Sequence, residues 1–197
     1  MTPQWFDRSL NFVSSFSTRE SGNPDERFGY PSGVALSRLG ELFICDTENS
    51  RIVKVDRFST VERTFGEGGG AGHLSSPSSV AAGPKDEVYV IDGARVAAFD
   101  AFGNYLRDLM PGLLVHPAAL YADNDVVAVL DSAAIFFFDA EGRPAGAVRT
   151  GSLLPSGGDV RAIALSGGSL YLLTGEGLYR TADPRGAANL ENNPNSH

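Results

Sequence analysis

From Phe28 to Arg180 no stretch keeps a 3.6-residue apolar period for three turns. Short apolar runs recur instead, separated by Gly, Pro, Ser and Asp, which is the pattern of strands joined by tight turns. The chain is predicted to be all-β. Self-comparison gives the period. Asp46 closes the run Leu42-Phe43-Ile44-Cys45, Asp92 closes Val88-Tyr89-Val90-Ile91, and Asp131 closes Val126-Val127-Ala128-Val129-Leu130. Thr174 ends the matching run Leu170-Tyr171-Leu172-Leu173, so the steps are 46, 39 and 43 residues. Pro31, Pro77 and Pro117 precede three of these runs, each followed by a small and then an apolar residue: Gly33-Val34, Ser79-Val80 and Ala119-Leu120. Ala162-Ile163 continues the series without its proline. A third run follows each closing residue: Ile52–Val55, Val96–Phe99, Ile135–Phe138 and, more weakly, Leu178–Arg180.

Four short strands every ~40 to 45 residues is the period of a propeller blade. One twisted four-stranded sheet cannot bury both faces alone, so successive blades must stack. The expected architecture is a β-propeller of about four blades within a single domain, residues 1–181. The blades are placed at 28–66, 74–109, 114–149 and 157–181, with a polar tail at 182–197. At the N-terminus, Phe6–Phe16 aligns with Val55–Phe65 through a shared Asp-Arg turn. Residues 6–16 therefore read as a displaced outer strand that closes the last blade and hides its edge. Ala182–Gly186 resembles the same turn and competes for that place. An arc completed by a second chain is the alternative to a closed ring.

The residues Tyr30-Pro31-Ser32-Gly33-Val34-Ala35, Gly40–Asp56 and Phe65–Gly69 together resemble the NHL repeat nearly end to end. The second unit keeps Ser76–Ala81 and Val88–Asp92 but shortens the following turn to Gly93-Ala94-Arg95. The third and fourth keep only the hydrophobic frame. The resemblance implies a propeller used mostly as a rigid platform for protein, RNA or ligand binding, and sometimes as an enzyme. In length this chain departs from a six-bladed ring of such units, which would need roughly 250 residues.

Composition narrows the partners. The 197 residues hold 24 acidic and 16 basic side chains, a net charge of −8. A polyanion binder carries the opposite excess, so nucleic acid is not an expected partner. No apolar stretch reaches the roughly 18 residues a membrane helix needs, so membrane insertion is not expected either. The single cysteine, Cys45, excludes an internal disulfide framework and a thiolate zinc cluster. The N-terminus lacks a basic start, apolar core and small-residue cleavage site, which favours the cytoplasm.

Candidate chemistry is sparse. Asp46, Asp92 and Asp131 recur at one repeat position and could form a cation ring, since hard cations want converging oxygens. The alternative reading is that each carboxylate accepts backbone N–H groups in the turn to the next strand. Gly66–Gly72 lacks the Lys-Ser/Thr pair of a phosphate loop and reads as a link between blades. His73, His116 and His197 show no metal-ligand spacing. Arg51, Arg95 and Phe137 are the candidate partner-binding residues. The innermost runs Val34–Leu36, Val80–Ala82, Leu120–Ala122 and Ile163–Leu165 offer almost no polar side chains to an axial channel. The expectation is a non-catalytic scaffold for a protein partner or assembly, with no cofactor. A metal-dependent enzyme of the lactonase or lyase kind and an RNA-binding module are the alternatives, and a second copy completing the toroid is a further one.

Overall fold

The computed structural model of the protein describes residues 4–6, 12–15, 27–154 and 159–185. Seventeen strands and short 3-10 turns make up the described secondary structure. Among the described residues no helix is long and apolar enough to cross a membrane. The fold is a four-bladed β-propeller. Blade one runs β3 (Pro31–Leu36), β4 (Leu42–Asp46), β5 (Arg51–Val55) and β6 (Val61–Phe65). Blade two runs β7 (Pro77–Ala82), β8 (Val88–Asp92), β9 (Arg95–Phe99) and β10 (Tyr105–Leu109). Blade three runs β11 (Pro117–Ala122), β12 (Val127–Asp131), β13 (Ala134–Phe138) and β14 (Pro144–Arg149). Blade four has three strands, β15 (Val160–Ser166), β16 (Ser169–Thr174) and β17 (Leu178–Ala182). In each sheet strands follow one another in chain order, the up-and-down pairing that short turns permit.

The repeat extends to register. In every blade the first strand slips by one residue against the second, between Pro31 and Gly33, Pro77 and Ser79, Pro117 and Ala119, and Val160 and Ala162. The residue after the slip is small for a visible reason at Gly33. A Cβ there would lie 3.1 Å from both the Ser78 carbonyl and the Ser79 Cα, because β3 and β7 approach backbone to backbone. The turn between third and fourth strands is also copied. Asp56, Asp100 and Asp139 each receive the backbone N–H groups two and four residues on, at 2.8–2.9 Å, on one carboxylate oxygen. The residue three on has positive φ each time: Ser59 (66°), Gly103 (81°) and Gly142 (75°). These are Asx turns, and the carboxylate fixes a loop that a hydrophobic pattern alone leaves undefined.

The chain divides into two compact units. In the first (Met1–Ala82, Asp86–Gly93, Ala97–Arg107), Phe43, Cys45 and Ile52 of blade one pack with Val80, Val90 and Phe99 of blade two. Four rings run through this core, Phe43–Phe65–Phe99–Tyr105, with centroids 5.1 to 6.4 Å apart. In the second (Gly83–Lys85, Ala94–Val96, Asp108–His197), Leu130, Ile135 and Phe137 of blade three pack with Ile163, Leu170 and Leu172 of blade four. The second strands β4, β8 and β12 are buried at every position, as their unbroken apolar runs require.

The N-terminal expectation needs correcting. β2 (Phe12–Ser15) bonds to β1 (Gln4–Phe6) in a two-stranded sheet of its own, not to blade four. The pairs Gln4↔Ser15, Trp5↔Ser14 and Phe6↔Phe12, with a slip before Phe6, copy Val53↔Thr64, Lys54↔Arg63 and Val55↔Val61 of blade one. The alignment of the two segments was right in register. The segment carries its own third-strand partner, and a partner a few residues away costs less loop-closure entropy than one across the chain. Residues 7–11 and 16 of this segment, and nearly all of the tail at 182–197, lie outside the described residues.

Candidate functional site

Asp46, Asp92 and Asp131 stand at one register, opposite the proline that opens each blade. All three are buried. Asp46 accepts the Gly29 N–H at 2.8 Å, Asp92 those of Ser75 and Ser76 at 2.9 and 2.7 Å, and Asp131 those of Val115 and His116 at 3.0 and 2.5 Å. Each carboxylate thus clamps the loop leading into its own blade. The sequence had placed those N–H donors in the turn that follows; they come from 15–17 residues upstream. Among the described residues no three His, Cys, Asp or Glu side chains gather to hold a metal ion. The other oxygen of Asp46 accepts the Asn49 amide at 2.8 Å and the Arg51 guanidinium at 2.9 Å.

Two of the three candidate partner-binding residues are not on the surface. Arg51 is 5% exposed, with Nε 2.9 Å from Asp46, Nη1 3.2 Å from Glu67 and Nη2 3.0 Å from the Arg27 carbonyl. Phe137 is 2% exposed in the core of the second unit. Alternation along β13 sends Ile135 and Phe137 to one face, where both are buried, and Phe136 to the other, where it is half-buried. Arg95 is half-buried, its Nη1 3.4 Å from Asp108. Cys45 is fully buried, and that burial, with Asp92 nearby, pushes its thiol up to about 12, so it behaves as a small apolar side chain.

Other groups were not read from the sequence. Lys54, inside the run Ile52-Val53-Lys54-Val55, is 3% exposed, and its Nζ reaches Glu41 at 2.9 Å and Glu62 at 3.1 Å. Burial works against its charge, but the two carboxylates outweigh burial and raise its pKa above 10.5. Glu87 takes the place of Glu41 in blade two, where it accepts the Tyr89 hydroxyl at 2.7 Å and Arg107 at 2.6 Å. A lysine in an otherwise apolar strand, with glutamates at the ends of both neighbours, is the signal that could have found the first cluster.

At the turns between third and fourth strands, Phe58 and Phe102 are 73% and 64% exposed. The Arg57 guanidinium lies 4.8 Å from the Phe58 centroid and that of Arg63 lies 5.7 Å from Phe102. The third turn has Glu141 at this place, so the aromatic rim belongs to blades one and two and is not imposed by the repeat. Nearby, a cleft of about 300 Å³ is lined by Gly66, Gly68, Gly69 and Gly72 on one side and by Phe99, Asn104 and Tyr105 on another. Gly68 and Gly69 have open space where a Cβ would stand, so this loop presents backbone to the cleft. The sequence reading as a plain link missed that wall because the two rings come from residues some 30 positions further on.

Comparison with known proteins places this geometry. The NHL repeat family matches residues 28–55. The peptidyl-alpha-hydroxyglycine alpha-amidating lyase 2 of Drosophila melanogaster is 24% identical over 179 residues, covering 79% of this chain and 43% of that protein. The streptogramin B lyase structure superposes with a TM-score of 0.63 at 12% identity, over 92% of this chain and 61% of that one. A chain of the nidogen/laminin complex gives a TM-score of 0.67 at 18% identity, over 87% and 64%. This chain therefore spans under half of the curated relative and under two thirds of these solved structures. The expectation of a non-catalytic chain does not stand, because the curated relative is itself named a lyase. Residues 28–55 are an NHL repeat, and the chain that carries it folds as a four-bladed β-propeller.

Proposed function

We propose that this chain is a propeller of the lyase kind acting on a peptidyl substrate. The observation that carries the reading is the similarity to the amidating lyase, which runs over 79% of the chain rather than over one repeat. The glycine-walled cleft fits such a substrate: exposed backbone N–H and C=O groups can pair with a peptide edge, while Phe99 and Tyr105 supply apolar walls. Its volume of about 300 Å³ suits a residue or two rather than a whole domain. The test is incubation of the chain with a peptidyl-α-hydroxyglycine, followed by mass spectrometry. Cleavage above the protein-free rate, reduced when Gly69→Val fills the cleft, is the expected result. A folded chain that leaves the substrate at the protein-free rate removes the reading.

A second reading, protein binding, is favoured by the exposed Phe58 and Phe102 with guanidinium groups over both rings. Aromatic rings and arginines are the residue types that dominate binding hot spots. A labelled peptide carrying glutamates around one leucine should bind, and Phe58→Ser with Phe102→Ser should abolish its anisotropy signal. Unchanged binding in that variant rejects the rim as the contact. The net charge of −8 supports a partner other than nucleic acid, and a filter-binding signal that falls steeply with salt would argue the reverse.

A further inference from the structure

Blades one, two and three each end on an outer strand, and the three edges are guarded differently. β6 of blade one carries Glu62 and Arg63, and β10 of blade two carries Arg107 and Asp108. Glu62, Arg107 and Asp108 are held in ion pairs with Lys54, Glu87 and Arg95 of their own blades. Charges of this kind keep a foreign strand off an edge, because pairing would press them against a second chain. β14 is the edge of the blade-three sheet, with blade four following it in the chain, and it lacks that guard. After Pro144 it reads Ala145-Gly146-Ala147-Val148, with no charge until Arg149, and residues 144–147 are all exposed. A Cβ built on Gly146 would meet nothing within 4 Å, so the middle of the strand stands open.

We propose that β14 takes an extended segment of a partner protein as a further antiparallel strand of blade three. An edge strand offers a row of backbone N–H and C=O groups, and their complement is another extended backbone. Every pairing already made in this sheet is antiparallel, so the added strand continues the same ladder. Charge selects the chemistry of the segment. Arg149 closes β14, exposed and in no ion pair among the described residues. An acidic side chain at the N-terminal end of the incoming segment meets that guanidinium, and small or apolar side chains suit the uncharged stretch before it. A second copy of β14 in full antiparallel overlap fits less well, because it would set Arg149 beside Arg143 of its mate. This inference stands apart from the lyase reading and from the aromatic rim.

The probe is a short labelled peptide of alternating valine and alanine with glutamate at its N-terminal end, titrated with the full chain. Its anisotropy should rise to saturation, and amide exchange should slow at residues 145–149. N-methylation of alternate peptide nitrogens should abolish binding in one phase and spare it in the other, since only one set of N–H groups faces β14. Arg149→Glu should weaken binding by about fivefold, attraction having become repulsion, and a peptide with lysine in place of glutamate should restore it. Phe58→Ser with Phe102→Ser should leave it unchanged. Binding that ignores both N-methylation phases, or that survives Arg149→Glu undiminished, overturns the proposal, as does an absence of protection on β14. A mass above 20.8 kDa with β14 protected before peptide is added gives the edge to a second copy and overturns it as well.

Discussion

Blade three and blade four are built on one register and end in different states. Both begin with a strand that slips before a small residue, Ala119 or Ala162, and both pair the second strand with the third over matching positions. In blade three the second strand closes on Asp131, whose carboxylate reaches Val115 and His116 in the loop ahead of the blade. In blade four the same place is Thr174, whose hydroxyl serves only its own turn, at Glu176, Gly177 and the Gly177 carbonyl. Blade three has a fourth strand, and among the described residues blade four has none in its sheet. The difference teaches that the hydrophobic frame alone forms a blade. The aspartate does something further, fastening the lead-in loop, while the positions that Leu173 and Leu178 leave open in blade four are covered in blade three by the apolar residues of blade four.

The largest break in that comparison should come from the fastening residue. Asp46→Ala in blade one removes an acceptor that is 0% exposed and takes from the buried Arg51 its closest carboxylate. Breaking one side of a buried pair costs about 3–5 kcal/mol. Thr174→Ala in blade four should cost about 1 kcal/mol, the price of a turn hydroxyl. Urea unfolding of both variants measures the gap, and equal losses would show that the aspartate clamp has no special weight. Next in size is the core pair. Ile135→Ala should cost about 2–5 kcal/mol, whereas Leu178→Ala at the same register should stay within about 0.5 kcal/mol. A Leu178 effect as large as that of Ile135 would mean that the flank is already covered in solution.

The fold was legible because the features that set it are written locally and repeated, the apolar runs four times and the prolines and closing aspartates three times. Prolines, closing aspartates and unbroken apolar runs fall at fixed spacing, and the strands β4, β8 and β12 are those runs. The N-terminal alignment gave the register of β1 on β2 but assigned the wrong partner, because pairing choice depends on chain entropy that a pattern does not display. The site was less legible for the same kind of reason. Arg51 looks like a surface charge in sequence, yet three acceptors in the fold draw it inside. The cleft depends on Phe99 and Tyr105 meeting a glycine loop from another blade, and that juxtaposition exists only once the blades are stacked.

Blades one and two differ in a way that pH can sharpen. Lys54 is buried against Glu41 and Glu62, and Ala98 holds the same place in blade two. Because its folded pKa lies above 10.5, the lysine contributes stability that is fully present below that value and is lost as pH rises through the folded value. Lys54→Met, of similar volume, should therefore differ from wild type at pH 7 and converge on it in strongly alkaline buffer. Thermal melts across that range check it, and a gap that stays constant with pH excludes the lysine charge as its source.

The smallest expected effect tests whether blade four keeps the repeat's turn chemistry after β17. Asp183 follows β17 as Asp139 follows β13, and it accepts the Arg185 N–H at 3.0 Å together with the Arg185 guanidinium. The side-chain bonds from Arg185 hold its carboxyl below the usual 3.8, against the opposing pull of burial. A depressed carboxyl contributes stability that is present above the unfolded value and lost as pH falls through the folded one, so the window lies below pH 3.8. The pair is partly exposed, and solvent screening limits it to about 0.5 kcal/mol. Asp183→Asn should thus lower stability slightly at pH 6 and cease to matter near pH 2. If instead the variant matches wild type at both, the turn is held by its backbone bond from the Asp183 N–H to the Gly168 carbonyl, and the carboxylate is incidental there.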